Sequence, residues 1–159
     1  METKLLLYVN SESDFSLLAD YDGAFIDFNG LPDFELDGKE LFINAVNLSP
    51  SECFAIALKA PKNSVFVCED TMKAAFIKSA CQTAKISFYT ENYNPNLIPF
   101  LEANGFDVTI KYTALAPERI AAFQSANAKV NGTLVKRLDE VGVLKYWNTD
   151  YVTVTKDAK

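Results

Sequence analysis

Apolar residues recur along this chain in two rhythms, short continuous runs and helical stripes, and the balance between them changes near residue 50. Residues 3–9, TKLLLYV, form a short β-rich run, and SESDF follows with Ser and Asp placed to cap a brief helix through Leu18. GAFIDF then reads as a strand closed by Asn29-Gly30. DFELDGKELFINAV reads as a hairpin about Asp37-Gly38, because Asp-Gly accommodates the positive φ angles of a tight turn. The first third of the chain therefore predicts antiparallel strands.

From Ser49 onward helices and strands alternate. SPSECFAIALKAPKN predicts a helix capped by Ser49 or Ser51, with Pro50 in its first turn and Phe54, Ile56, Ala57 and Leu58 on a crowded apolar face. SVFVCE predicts a strand, DTMKAAFIKSACQTA a helix striped by Met72, Ala75, Phe76, Ser79 and Ala80, and KISFYTE a strand. NPNLIPFLEANG predicts a helix ended by Gly105, and FDVTIKYTA a strand. APERIAAFQSANAKVNGTLVKRLDEVG predicts one long helix, or two broken near Asn131-Gly132, before a strand or hairpin turning at Asn148. Taken together these elements predict one globular domain over 1–159 of the α/β (α+β) class. Its mixed sheet runs antiparallel first and parallel afterwards, with helices on both faces.

Composition narrows the chemistry. With 159 residues, 49% of them hydrophobic, the chain is long enough to bury a core. No apolar run approaches the roughly 20 residues that cross a bilayer, and the first residues lack the small-residue cleavage site of a leader, so the pattern is that of a soluble cytoplasmic chain. There is no histidine, which excludes Ser-His and Cys-His nucleophiles and removes the commonest zinc ligand. Cys53, Cys68 and Cys81 lie far apart without a C-x-x-C pair, which argues against a disulfide framework, and Cys68 sits beside Glu69 and Asp70, which suppress a thiolate. No metal site and no direct nucleic-acid binding are expected. The longest basic cluster is Lys136-Arg137, too little to neutralise a phosphate backbone.

The net charge of −6 is unevenly held: residues 1–70 carry 13 acids and 4 bases, residues 71–159 carry 8 acids and 11 bases. Asp20, Asp22, Asp27, Asp33, Glu35 and Asp37 all precede the first base of their stretch, Lys39. The spacing lacks the fixed ligand steps of a calcium loop. It leaves two readings: acids in exposed turns and on outward strand positions, or an acidic face formed by Asp20, Asp22, Asp33 and Glu35 that steers a basic protein partner. Tyr146, Trp147 and Tyr151 supply a second candidate recognition surface, since interfaces favour large aromatic side chains.

FYTENYNPNLIPFLEANGFDV resembles a signature of the GNAT family, the acyl-CoA-dependent N-acetyltransferases. Phe88 and Thr90 occupy its strand positions, Asn94 its asparagine, and Phe100, Glu102, Gly105 and Phe106 the end of its helix. The resemblance covers residues 1–112, leaving 113–159 as a helical extension with a terminal strand. It implies acetyl-CoA at the junction of the SVFVCE strand and the next helix, bounded by Val67, Cys68, Thr71 and Met72, together with Asn94. Two departures bear on activity. That junction has no glycine and places Glu69 and Asp70 where a diphosphate needs donors, and Leu101 stands where many members carry a proton-donating tyrosine. Without histidine, the remaining bases are Glu69, Glu91 or Asp27. The sequence thus predicts a non-catalytic protein-binding or assembly module on a GNAT-like scaffold, without a cofactor. An acyl-CoA N-acetyltransferase stands second, and an acidic inhibitor that imitates nucleic acid third.

Overall fold

A computed structural model describes residues 2–27 and 38–159. Eight strands, all parallel, close into a barrel in chain order: β1 (Lys4–Val9), β2 (Gly23–Ile26), β3 (Glu40–Asn44), β4 (Val65–Cys68), β5 (Lys85–Thr90), β6 (Asp107–Lys111), β7 (Val130–Val135) and β8 (Tyr151–Val154). The seam is sealed by β1 on β8, where Leu5 pairs with Val152 and Leu7 with Val154. A 3-10 helix over Glu12–Asp20 follows β1, and five helices cover the outside among the described residues: α1 (Pro50–Lys59), α2 (Thr71–Ala80), α3 (Leu97–Asn104), α4 (Pro117–Ser125) and α5 (Leu138–Tyr146). This is the TIM-barrel arrangement in a chain well short of the typical length of about 250 residues. None of the described helices is long and apolar enough to cross a membrane.

The expected mixed sheet is therefore corrected. β2 pairs in parallel with β3, Gly23 opposite Glu40 and Ile26 opposite Ile43, so the two are not the arms of a hairpin. Asn29-Gly30 and the residues up to Asp37 lie outside the described residues. Nor do helices lie on both faces: a closed barrel has an outer face for helices and an interior for its own side chains. Asn131-Gly132 does not break a helix either but lies inside β7, and Asn148 turns between α5 and β8 with φ 61°. With the sheet closed and parallel, the GNAT scaffold assigned to 1–112, and 113–159 as an extension to it, are both withdrawn. β7 and β8 are integral staves of the barrel.

Locally the helices are set by their end residues, Ser49, Pro50 and Gly105 as the sequence suggests and Glu52 and Asp70 in addition, while Phe54, Leu58, Met72 and Phe76 of the expected stripes stay exposed. Ser49 Oγ accepts from the Glu52 amide at 3.2 Å, Glu52 Oε1 accepts from the Ser49 amide at 3.0 Å, and Pro50 opens the first turn, a complete capping box. Asp70 caps α2 by accepting from the Met72 amide at 2.7 Å. α3 ends at Gly105, whose left-handed φ of 67° lets the Phe106 amide reach back to the Leu101 carbonyl.

Alternate residues of each strand face two different cores. Outward, Leu7, Val9, Ile26, Ile43, Phe66, Cys68, Ile86, Val108, Ile110, Val130 and Val152 pack beneath the helices. Inward, Leu6, Phe25, Phe42, Val65, Val67 and Tyr151 fill the barrel on the β1–β4 side, with Phe42 edge-on to Tyr151 at 4.9 Å. The opposite wall is polar. Ser87 and Thr109 share a hydrogen bond of 2.6 Å, Thr153 donates to Asn131 Oδ1 at 2.9 Å, and Asn131 Nδ2 is buried without a partner.

Candidate active site at the mouth of the barrel

In a parallel barrel every strand delivers its last side chains to one end, so residues distant in sequence converge there. A cavity of about 310 Å³ opens at this end, within the range of small-molecule sites. β1 contributes Tyr8, β2 Phe25 and the following Asp27, β3 Asn44 and then Val46 and Asn47, β5 Tyr89 and the following Glu91, and β7 Thr133 and Leu134.

Asp27 is the fixed point of this cluster. Its amide donates to the Val9 carbonyl at 2.8 Å, which extends the β1–β2 ladder one residue past the strand and sets the side chain at the rim. The Tyr8 hydroxyl donates to Asp27 Oδ2, and Asn44 Nδ2 donates to Oδ1 at 2.8 Å. Asn44 is itself oriented, its Oδ1 accepting from the Val46 amide at 3.1 Å. The half-buried carboxylate is thus held from two sides, with lone pairs to spare for a ligand. Tyr8 is pushed above the ordinary phenol range by its burial first, then by the hydrogen bond and charge of Asp27. It stays a donor at any physiological pH. Tyr89 is raised as well, by burial and then by the Glu91 carboxylate.

The loop after β3 is clamped from below. Lys73 Nζ donates to the Val46 carbonyl at 2.6 Å and pairs with Glu69 at 2.8 Å. That engages the lysine in structure and leaves Asp27 and Glu91 as the charged groups lining the mouth among the described residues. No group of three or more Cys, Asp or Glu among those residues is placed to share a cation.

A larger cavity, about 450 Å³, lies at the opposite end between Gln124, Asn127, Ala128, Lys129, Asn148 and Asp150. Its polar groups are committed to holding loops together: Asp150 Oδ2 accepts from the Val130 amide at 2.9 Å and from Gln124 Nε2 at 3.2 Å. Size favours this cavity, but the mouth is where a parallel barrel gathers its strand ends, and we place the site there.

The residues singled out in the sequence are scattered by the fold. Asp20 and Asp22 lie before β2, and Asp22 Oδ2 accepts from the Leu5 amide at 2.8 Å. Asp27 follows the same strand, roughly 16 Å away at about 3.3 Å per residue. The acidic stretch is thus divided between the two ends of the barrel rather than gathered on one face. Asp33 and Glu35 lie outside the described residues. Tyr146 is exposed, Trp147 packs partly against the outer core, and Tyr151 is buried inside the barrel. Of the expected acyl-CoA set, Val67 faces the interior and Cys68 the helices, its thiol pushed up to about 11 by burial. Thr71 and Met72 sit exposed at the start of α2, and Asn94 Oδ1 caps the Asn96 amide at 3.0 Å in a separate loop, so no common cleft unites them. Asp27 and Glu91, named in the sequence as candidate bases, do reach the mouth. Tyr8, Asn44, Asn47 and Thr133 were not singled out, and what identifies them is their place at the ends of apolar strand runs.

A scan against models of known protein families finds no match, and a search of curated proteins finds none either. Solved structures do match in fold. A phosphodiesterase from Oleispira antarctica, in complex with the product sn-glycerol-3-phosphate, superposes with a TM-score of 0.61 at 12% identity over 83% of this chain and 51% of its own. A protein from Silicibacter pomeroyi described as a glycerophosphoryl diester phosphodiesterase gives 0.59 at 10% identity over 83% and 46%. A glycerophosphodiester phosphodiesterase from Parabacteroides distasonis gives 0.56 at 12% identity over 89% and 56%. The present chain therefore spans about half the length of these structures. The likeness is one of fold, and it overturns the GNAT assignment. The acetyltransferase, the non-catalytic binding module and the nucleic-acid-mimicking inhibitor, all built on that scaffold or on a continuous acidic face, fall with it.

Proposed function

We propose that this chain is a small barrel enzyme acting at the mouth, with Asp27 as the proton acceptor and a compact polyol ester, of the glycerol type, as substrate. The observation that carries the reading is the carboxylate of Asp27, gripped by the Tyr8 hydroxyl and by Asn44 at 2.8 Å, at the rim of a cavity of about 310 Å³. A positioned carboxylate within reach of a ligand hydroxyl is what proton transfer requires where histidine is absent. Tyr8, Phe25 and Tyr89 offer flat apolar walls, while Asn44, Asn47, Glu91 and Thr133 offer the mixed donors and acceptors that hydroxyl groups pair with.

The product named for the Oleispira structure contains a glycerol unit and a phosphate. The mouth complements the glycerol half: its charged lining is acidic, so the anionic part of such a ligand is expected to point outward to solvent. No organic cofactor is required by this reading.

The test is release of glycerol or glycerol 3-phosphate from a panel of glycerol derivatives, a phosphodiester, a carboxylic ester and, as a non-ester comparison, a glycoside, read by coupled assays. Asp27→Asn is expected to lower turnover at least roughly 100-fold and Tyr8→Phe about tenfold, in line with the usual scale of general acid–base effects. Turnover that survives Asp27→Asn unchanged refutes the reading. So does a protein that releases neither glycerol nor glycerol 3-phosphate and whose Asn44 side-chain amide resonances ignore added glycerol.

A further inference from the structure

α1 and α2 pack against each other more extensively than any other pair of helices. They follow successive parallel strands, so they run side by side in the same direction. Their inner sides bury Cys53, Ala57, Ala74 and Ile77. Their outer sides are apolar too: Phe54 and Leu58 are 37% and 60% exposed, Met72 and Phe76 59% and 40%. Each pair is spaced i, i+4 and forms a row on its helix, with the exposed small residues Ala55 and Ala75 beside them. Single exposed apolar residues are ordinary, but two such rows on adjacent helices make a patch that calls for a partner.

The charges around this patch are ordered. Exposed Glu52 and Asp70 stand at the N-terminal ends of the two helices, exposed Lys59, Lys62 and Lys78 at or beyond the C-terminal ends. None of the three lysines has a carboxylate partner among the described residues. The face is acidic at one end, apolar in the middle and basic at the other. A two-fold axis through its centre lays the acidic end of one copy on the basic end of the other and row on row between them.

We propose that the outer face of α1 and α2 is a self-association surface, and that its occupant is a second copy of this chain. Two helices of ten residues present a face roughly 15 Å by 20 Å, about 600 Å² over both copies and below the size of stable specific interfaces, so the association is a weak one, with a dissociation constant expected on the order of 100 µM. This inference does not depend on the function of the mouth, and Asp27→Asn leaves association unchanged.

Sedimentation velocity of the full chain across that concentration range is the test, with three variants. Leu58→Glu/Phe76→Glu places charge in the apolar rows and raises the dissociation constant at least roughly tenfold. Lys59→Glu/Lys62→Glu/Lys78→Glu makes both ends acidic. Ser51→Lys/Glu52→Gln/Asp70→Asn/Thr71→Lys makes both ends basic while keeping residues able to cap. Each charge variant alone is expected to be monomeric, and an equimolar mixture to recover association at or above the wild-type level. A wild-type chain that remains monomeric at about 1 mM, tenfold above the expected constant, overturns the proposal. A dimer indifferent to Leu58→Glu/Phe76→Glu, or a mixture no more associated than its components, overturns it equally.

Discussion

Gly23 opens β2, and its replacement by alanine tests whether the parallel β2–β3 pairing is real. A Cβ built on Gly23 falls 2.2 Å from the Glu40 carbonyl oxygen and 2.8 Å from both the Glu40 carbonyl carbon and its Cβ. The obstacle is the backbone of β3 directly across the ladder, and no side chain can swing aside to relieve it. Reaching ordinary contact requires the strands to part by roughly 1 Å, which overpacking studies place at about 1–3 kcal/mol. The same displacement strains the bond from the Glu40 amide to the Asp22 carbonyl, now 2.9 Å, adding about 1 kcal/mol. The sum, about 3 kcal/mol, is a large part of the roughly 5–15 kcal/mol that holds a domain together.

For a chain of this size the corresponding fall in Tm is about 10 °C, measured by calorimetry or circular dichroism. Gly142 is the matched control. It lies within α5 with no heavy atom within 4 Å of a built Cβ, so Gly142→Ala is expected to stabilise by about 0.5–1 kcal/mol through helix propensity. Because β2 carries Asp27 at its far end, Gly23→Ala should also loosen the Tyr8–Asp27–Asn44 contacts and broaden the Asn44 side-chain resonances. A Gly23→Ala protein melting within about 2 °C of wild type, less than 1 kcal/mol on this scale, would refute the parallel register and the site built on it.

Three further outcomes follow from individual contacts. Lys156 Nζ reaches Asp14 Oδ1 at 3.0 Å and ties the chain after β8 to the segment after β1; Lys156→Met should cost about 1–2 kcal/mol by leaving a buried carboxylate short of a partner. Burial raises Asp14, but hydrogen bonds from Lys156, the Asn10 amide and Ser11 outweigh it and hold the group below its ordinary value. The stability it lends is present above about pH 4 and fades as pH falls through the lower folded value, so the wild-type advantage over Lys156→Met should shrink in acid, as chemical denaturation at several pH values would show. Tyr8, Tyr89 and Tyr151 are all raised, chiefly by burial, so their stabilising contribution holds below about pH 10 and is lost as pH climbs through their folded values. Ultraviolet titration should show these phenols ionising late, and all seven tyrosines titrating together in the intact fold would contradict it. Finally, Asn131→Leu/Thr153→Val removes the 2.9 Å bond together with the orphaned Asn131 Nδ2, and should raise Tm by about 2–4 °C, since an unsatisfied buried donor costs about 1–3 kcal/mol; a fall in Tm would mean that the polar wall of the barrel is needed.

Local structure was far more legible in the sequence than pairing. The Ser49 cap with Pro50 in the first turn and the Gly105 stop each depend on residues within one turn of each other, and both stand where the pattern predicts them; the part of Glu52 in the capping box and the Asp70 cap were equally local signals that were not singled out. Strand direction depends on what lies between strands. Asp37-Gly38 invited a hairpin, yet β2 and β3 run the same way. A signal against the hairpin was present: GAFI is buried at all four positions, as are VFVC and YVTV, and strands covered on both faces read as continuous apolar runs typical of parallel sheets. Asn131-Gly132 misled for a related reason. Gly132 lies under α5 and the segment before α4, where a Cβ would come within 3.1 Å of Leu115, and Asn131 turns inward to Thr153, so both residues are explained by packing that only the closed barrel creates.

The same closure explains why the candidate site was half visible. Asp27 and Glu91 could be named as carboxylates from the sequence, but their relation could not, because β3 and β4 come between β2 and β5 in the barrel order. Once the strands close, Tyr8 and Asn44 fall on either side of Asp27, and the absence of histidine acquires a structural counterpart. Tyr8, held protonated by burial, can give a hydrogen bond but does not readily lose its proton, and Asn44 can only donate to Asp27 through its amide. Among the described residues the carboxylates facing this cavity are Asp27 and Glu91, and Asp27 is the one that these two donors hold. On the function proposed above these are the carboxylates open to proton transfer, brought to one mouth by strands that are neighbours in neither sequence nor sheet.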